Sequence, residues 1–247
     1  MDNQFSPPPT SPFPSQPPRK PWWVKILLII GGILLSIFVA FIFLAIDAYR
    51  QFNQTNIPQP NNQTGLSQEF IQTLDNPTSP YLGKKDARIA IIEFGDFGCP
   101  SCKNFYPKLK RAVQEYPEKV RVVFRDFPVI QEFSPQLALA ARCAGEQGLF
   151  WAMHDTLFDQ QNYIYQNQQN LSSVLNELAA KIGVETNRFN QCMQQKKYLP
   201  SIQKDYQDGL KLDIKGTPTW FINGYKVSGD VPWTVLKKTI EEILNRK

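Results

Sequence analysis

The chain has 247 residues, of which 42% are hydrophobic and 20% are charged, and its formal net charge is +5. This composition is sufficient for one sizeable folded domain with appendages, and the lack of a basic, aromatic-rich cluster argues against a nucleic-acid partner. The four cysteines are an even number, which is more typical of an oxidising compartment than of the cytoplasm.

The N-terminal end is rich in proline. Residues 1–21 contain eight of the twenty prolines, with Ser, Gln and Asn between them. Such a composition cannot bury a core, so residues 1–22 are predicted to form a disordered tail. An SH3-like partner for this tail is the alternative to a simply solvated segment.

An uncharged stretch follows the tail. Residues 26–46 carry no charge over 21 positions, and a helix of that length spans roughly 30 Å, the thickness of one bilayer core. Trp22 and Trp23 lie where an interfacial aromatic belt is expected. No small-x-small cleavage motif follows, so residues 23–47 are predicted to be an uncleaved, single-pass signal anchor.

The charges around this stretch predict its orientation. Arg19, Lys20 and Lys25 precede its apolar part, and the positive-inside rule then keeps the N-terminus in the cytoplasm. The rest of the chain is expected outside the cytoplasm, in a periplasm-like location. Residues 48–65, rich in Asn, Gln and Pro, are predicted to be a flexible linker.

The remainder, residues 66–247, alternates between strand and helix patterns. Its first strand is apolar on both faces except at Glu93, as expected of a central strand covered on two sides. Pro107 should kink the helix that follows Cys99. The region from 134 to about 212 shows helical spacings and no convincing strand, which predicts a helical insertion. The predicted elements are a helix over Leu66–Leu74, a strand over Arg88–Phe94, a helix reaching Tyr116, a strand over Val120–Phe124, a hairpin of Trp220–Ile222 and Tyr225–Val227, and a helix over Pro232–Leu244.

The most informative motif is Cys99-Pro100-Ser101-Cys102, at the end of the first strand and the start of a helix. Thiols at i and i+3 lie on one helix face, and the positive end of the helix dipole favours the thiolate of the first. Pro100 suits the first helical position, so Cys99 is predicted to be the N-cap. The same spacing also serves a structural pair or half of a zinc site, so a four-cysteine zinc protein remains an alternative at this point.

A second motif, Gly216-Thr217-Pro218-Thr219, precedes the short apolar strand of the hairpin. With it and the CxxC motif, the chain from about Asn76 onward resembles the DsbA-like thiol:disulfide oxidoreductases, and more narrowly their membrane-anchored BdbD-type branch. The resemblance implies an α/β thioredoxin fold with an inserted helical domain. It also rests, in chain order, on Ile91–Pro100, Phe124–Pro128, Ala140–Ala144 and Phe150–Asp155.

The resemblance implies roles for four site residues. Cys99 is the exposed, attackable sulfur and Cys102 its buried partner. Pro218 is a cis-proline beside the cysteine pair, and the backbone of Thr217 is available to pair with an extended substrate segment. A trans proline that begins an edge strand is the alternative.

Glu93 and the other two cysteines complete the candidate residues. The apolar neighbours of Glu93 should desolvate its carboxyl and raise its pKa, which suits a proton acceptor for Cys102. The resemblance supports this role, and a buried glutamate held by hydrogen bonds is the alternative. The resemblance also implies a disulfide between Cys143 and Cys192, which would otherwise be free buried thiols.

The implied function is disulfide formation in reduced or misoxidised exported proteins, with the cysteine pair in place of any cofactor or metal. A quinone-linked membrane protein of the DsbB or vitamin-K-epoxide-reductase type would re-oxidise it. Ser101 replaces the histidine of the most oxidising relatives, so we expect a less oxidising disulfide, and reduction or isomerisation stays open. A non-catalytic binding or chaperone module is the alternative of another class. His154, the sole histidine, is predicted to be a packed and satisfied side chain.

Overall fold

The computed structural model describes residues 22–54, Leu74, Asn76 and residues 78–246. The chain divides into two units, residues 1–56 and 57–247. The predicted proline-rich tail lies outside the described residues except for Trp22. The helix predicted over Leu66–Leu74 also lies outside them except for Leu74, as does the predicted linker from residue 55 onward.

The first unit contains one long helix, α1, over Trp22–Gln54. It covers the predicted anchor and continues into the stretch predicted to be a flexible linker. Residues 47–54 contain neither glycine nor proline to end a helix, and the next proline is Pro58. When only the described residues are counted, no helix of the structure is long and apolar enough to span a membrane.

The second unit is built on a five-stranded sheet with the strand order β1-β3-β2-β4-β5. Strands β2 and β3 are parallel, and the other neighbouring pairs are antiparallel. The predicted strands are confirmed to within two residues, but the three-residue β1 was not predicted. The strands are β1 over Tyr81–Gly83, β2 over Ile89–Gly95, β3 over Val120–Asp126, β4 over Thr219–Ile222 and β5 over Tyr225–Ser228.

Six α-helices lie between β3 and β4, with a single 3₁₀ turn over Gln168–Asn170, and form the inserted helical segment, as predicted. A disulfide between Cys143 and Cys192 joins the first of these helices, α3, to the fifth, α7. The helices of this unit are α2 over Pro100–Glu115, α3 over Ser134–Gly145, α4 over Phe150–Asp159, α5 over Gln161–Gln166, α6 over Leu171–Lys181, α7 over Thr186–Gln194, α8 over Leu199–Lys211 and α9 over Trp233–Asn245.

Apolar side chains cover β2 on both faces. Ile89 and Ile91 pack in one cluster with residues of α2 and α9, such as Phe105 and Leu236. The alternate positions Ile92 and Phe94 belong to a second cluster on the opposite face. This arrangement explains why β2 is apolar at nearly every position, and it keeps the end of β2, where the cysteine motif begins, in a fixed place.

A buried network of charges ties the inserted segment to the sheet. Arg125 of β3 donates from Nε to Asp205 and from Nη2 to Asp208, both at 2.6 Å. Arg142 of α3 donates to Asp126 and to Asp205, both at 2.7 Å. Burial raises the pKa of the Asp126 carboxyl to about 6, although Arg142 opposes this shift. The network was not predicted, because its members are far apart in the sequence.

Helix α8 approaches the sheet closely at Gly209. A Cβ atom at this position would lie 2.6 Å from the ring of Phe127. The glycine lowers helix propensity, but it is needed here because any side chain would push α8 away from the buried charges.

Candidate active site

Both cysteines of the motif lie at the start of α2. Cys99 is the N-cap, with extended backbone angles, and Pro100 lies in the first turn, as predicted. The Cys99 N–H donates to the Asp96 carbonyl at 2.9 Å, and the Lys103 N–H donates to the Cys99 carbonyl at 3.1 Å. Cys99 and Cys102 are free thiols in this structure. The helix continues through Pro107.

The loop that contains Pro218 lies against the first cysteine. The Thr217–Pro218 peptide bond is cis, as the resemblance implies. The Cys99 Sγ donates to the Thr217 carbonyl oxygen at 3.3 Å, across 118 positions of sequence. The Thr217 Oγ1 atom is buried and has no hydrogen-bond partner among the described residues. The fold therefore brings together the two motifs that the sequence singled out.

The exposure of Cys99 differs from the expectation. Its side chain is only 4% exposed, whereas the resemblance implies an exposed sulfur. The Thr217 carbonyl lies on the sulfur, and side chains of α5 hold the turn before it, so little surface is left. Cys102 is 0% exposed, so Cys99 is still the sulfur that a substrate can reach.

The two thiols have opposite pKa shifts. A hydrogen bond from Cys102 lowers the pKa of Cys99 to about 6, helped by Thr217 and by the N–H groups of Cys102 and Ser101 and opposed by burial. Burial raises the pKa of Cys102 well above its usual value. At neutral pH the outer sulfur is therefore mostly a thiolate and the inner one a thiol. Thiolates are the nucleophiles of disulfide exchange.

Glu93 lies on β2, between Phe124 of β3 and Trp220 of β4. Burial raises the pKa of its carboxyl to about 8, and the charge of Cys99 adds to the shift. The charge of Glu93 in turn contributes to the raised pKa of Cys102. The Oε1 atom has no hydrogen-bond partner among the described residues, which disfavours a purely structural, hydrogen-bonded role. At pH 7 this carboxyl is mostly protonated.

The turn before Cys99 is held by Asp96, a buried residue that sequence reasoning missed. Its Oδ1 accepts from the Gly98 N–H at 2.7 Å. Its Oδ2 accepts from the N–H groups of Val129 and Ile130, both at 2.7 Å. An aspartate just after a buried strand, with a glycine two positions later, is the sequence signal that could have revealed it.

The same turn is held from its other side by α5. The Gln161 Nε2 donates to the Phe97 carbonyl at 2.8 Å and to the Cys99 carbonyl at 2.9 Å. The Tyr165 hydroxyl donates to the Gly98 carbonyl. These residues were also missed, because glutamine and tyrosine in a polar stretch give no signal of such contacts.

His154 is packed among aromatic rings, as predicted. Its Nδ1 lies 3.0 Å from Asp155 Oδ1, but its Nε2 has no hydrogen-bond partner among the described residues, so it is satisfied at one nitrogen only. Burial lowers its pKa, so the ring is neutral at pH 7. The rings around it are Phe97, Tyr106, Phe124, Phe150, Trp151 and Phe158.

The second cysteine pair excludes the zinc-site alternative. Because Cys143 and Cys192 form a disulfide, they have no thiolates to offer a metal ion. A four-cysteine zinc site is therefore wrong for this chain.

Comparisons with known proteins agree with this site. Residues 75–242 match a protein-family model described as thioredoxin. The chain is 31% identical over 184 residues to the probable disulfide bond formation protein D of Bacillus cereus, which covers 68% of this chain and 80% of that protein. It is also 28% identical over 170 residues to a Na(+)/H(+) antiporter NhaA 1 of Salinispora arenicola, which covers 67% of this chain. The chain spans only about a quarter of the length of that antiporter.

A solved structure supports the same grouping. The oxidised form of BdbD from Bacillus subtilis aligns with a TM-score of 0.58 and 25% identity, covering 67% of this chain and 92% of that one. The fold and the cysteine pair define a thiol:disulfide oxidoreductase of the thioredoxin superfamily. The chain belongs to the thioredoxin family matched by the model and is a DsbA-like member of it.

Proposed function

We propose that this enzyme acts as an oxidase, forming disulfides in exported proteins at Cys99 and Cys102. The observation that carries this direction is the contrast between the two sulfurs: Cys99 has a pKa of about 6, and Cys102 is fully buried with a raised pKa. A stabilised Cys99 thiolate stabilises the reduced enzyme, which makes the disulfide form the better oxidant.

The proposed reaction proceeds by two exchanges. A substrate thiolate attacks the Cys99 sulfur of the oxidised enzyme, so the Cys99–Cys102 bond breaks and a mixed disulfide forms. The leaving Cys102 sulfur takes the proton of Glu93. A second substrate thiolate then attacks the substrate sulfur of the mixed disulfide and releases the Cys99 thiolate. Two electrons pass from the substrate to the enzyme, and the substrate leaves with a disulfide.

The strength of this oxidant is expected to be intermediate. The first cysteine has a pKa of about 7 in thioredoxin and about 3.5 in DsbA. The value of about 6 for Cys99 lies between them. This agrees with the weaker oxidation expected from Ser101 in place of a histidine.

Oxidation of a reduced test protein tests the reaction. We expect Cys99→Ala to abolish turnover, because no sulfur is left for substrate attack, and Ser173→Ala, an exposed change on α6, to leave it intact. Undiminished turnover by Cys99→Ala would contradict the proposed site.

The direction is tested by the reduction potential of the Cys99–Cys102 pair, measured against glutathione. We expect a value less negative than about −220 mV, on the oxidising side of thioredoxin. A value near about −270 mV, as in thioredoxin, would instead favour a reductase or isomerase.

The proposed location is outside the cytoplasm, with the chain held at the membrane by residues 23–47. Two features support it: the uncharged stretch of residues 26–46, and helix α1, whose described large apolar side chains are exposed from Ile30 to Ile46. Exposed apolar surface of this extent is stable when an apolar medium covers it. The Cys143–Cys192 disulfide also fits an oxidising compartment.

The location also bears on the partners. Reduced or misoxidised exported proteins would be the substrates, and a quinone-linked membrane protein of the DsbB or vitamin-K-epoxide-reductase type would restore the disulfide, with no other cofactor. Bacillus cereus and Bacillus subtilis proteins similar to this chain are named disulfide bond formation protein D.

Labelling of intact cells that express the full chain tests the location. After treatment with a membrane-impermeant reductant, we expect a membrane-impermeant maleimide to modify Cys99 before lysis. We also expect Leu34→Arg with Leu35→Arg to reduce recovery in the membrane fraction. Labelling only after lysis would refute the orientation.

A further inference from the structure

Three consecutive carbonyl groups of the turn before α2 all accept hydrogen bonds from α5. Gln161 donates to the carbonyls of Phe97 and Cys99, and Tyr165 donates to the carbonyl between them, that of Gly98. Gln161 is only 3% exposed, so its amide is committed to this turn. A six-residue helix of the inserted segment thus holds the backbone that carries the reacting sulfur.

The opposite edge of the turn is fixed as well. Asp96 accepts from the N–H groups of Gly98 and Cys99 at 2.7 Å and 2.9 Å. With N–H groups bound on one side and carbonyls on the other, the turn has little freedom to rotate. Its orientation decides whether Cys99 Sγ lies beside the free N–H groups at the start of α2.

The chain segment just before α5 is hydrogen-bonded to α2 itself. Asp159, at the end of α4, accepts from the Tyr106 hydroxyl at 2.6 Å, and its carbonyl lies 3.4 Å from the Lys103 Nζ. Gln161 follows two residues later. The glutamine therefore holds the turn relative to the same helix whose N-terminus stabilises the thiolate.

We infer that Gln161 is a positioning residue for Cys99, which keeps the sulfur at the N-terminus of α2 by binding the carbonyls of residues 97 and 99. Without its amide, the Phe97 carbonyl would lose its partner in a largely buried turn, and the Cys99 carbonyl would keep only the Lys103 N–H, which is unfavourable. The backbone would rotate toward water, and the sulfur would leave the N–H groups that stabilise its charge. The inference rests on the proposed function only in taking Cys99 as the reacting sulfur.

Gln161→Met tests this inference, because methionine has a similar length and volume but no donor. We expect the pKa of Cys99 to rise by about one, measured by the ultraviolet absorbance of the thiolate in the reduced protein. At pH 7 a rise from about 6 to about 7 would make the enzyme disulfide about fivefold less oxidising in equilibrium with glutathione. Gln160→Met, an exposed change at the neighbouring position, is the matched control.

A wild-type pKa and equilibrium in Gln161→Met would overturn the inference, as would equal changes in Gln161→Met and Gln160→Met. If Gln161→Met does not fold, Tyr165→Phe decides, because it removes the donor to the Gly98 carbonyl. It should shift the pKa of Cys99 in the same direction by a smaller amount, and no shift would overturn the inference. Failure of the proposed oxidase function is detected separately, in the potential of the wild type.

Discussion

Replacing the buried carboxyl of Glu93 should change how stability depends on pH. Its pKa rises from 4.5 to about 8 in the folded protein, chiefly because of burial. The side chain is 1% exposed, so solvent screens this effect little. Between pH 4.5 and pH 8 the folded chain therefore keeps a proton that the unfolded chain releases.

The sign follows from this difference in bound protons. The contribution of Glu93 to stability is fully present below about pH 4.5. It is lost as the pH rises toward 8, because deprotonation favours the unfolded chain. At about 1.4 kcal/mol for each pH unit, the wild type should lose about 3 kcal/mol through this group between pH 4 and pH 7. Glu93→Gln cannot titrate, so its free energy of unfolding should rise relative to the wild type by about that amount over this range.

Urea unfolding of both reduced proteins, followed by tryptophan fluorescence across this pH range, measures the difference. Other titrating groups are common to both proteins and cancel. Glu115→Gln is the matched control, because hydrogen bonding to Arg111 lowers the pKa of that carboxyl and the control should show a small change of opposite sign. Parallel pH profiles for Glu93→Gln and the wild type would refute the reasoning.

Three further changes have expected outcomes. The Thr217 hydroxyl has no partner beside the Cys99 thiol but can donate to its thiolate, which lowers the pKa of Cys99; in Thr217→Val the thiolate absorbance should therefore titrate at higher pH. Replacing Cys143 and Cys192 by serine opens a loop of 49 positions and should lower the free energy of unfolding by about 4 kcal/mol, measured in urea. Arg125→Met leaves the buried Asp208 without a guanidinium and Asp205 with only that of Arg142, and it should lower the free energy of unfolding by about 3–5 kcal/mol.

Each of these changes has a control or a contradicting result. An unchanged pKa in Thr217→Val would show that the hydroxyl makes no bond to the sulfur. The double serine variant should keep the wild-type pKa of Cys99, and a shift there would contradict a purely structural role for that disulfide. Lys181→Met breaks an exposed pair with Glu177 and should not change stability measurably, unlike Arg125→Met.

The parts of the site that were predictable depend on short-range patterns. Cys99 as N-cap follows from its place between an apolar strand and a proline, both within a few residues. The raised pKa of Glu93 follows in the same way from its apolar neighbours on β2. The contact between Cys99 and Thr217 could not be predicted from local patterns, since the two residues are 118 positions apart and only the resemblance connected them.

The parts that were not predictable depend on contacts between distant segments. Gln161 and Asp96 have side chains that are equally common on a solvated surface, and only the fold turns them toward the active-site turn. The low exposure of Cys99 also results from several segments at once, so no local pattern indicates it. Strand β1 was missed because three residues are too few to show an alternating pattern.

The buried charge network also sets an order of events during synthesis. Arg125 finds its partners Asp205 and Asp208 80 and 83 positions later in the chain. A guanidinium cannot be buried alone without a penalty of several kcal/mol, so β3 cannot reach its final buried state while α8 is still within the ribosome. Because β4 is made later still, the cysteine pair meets the Thr217 carbonyl only after a further 118 positions have been synthesised. A nascent chain therefore completes its active site only after the whole inserted helical segment has been made.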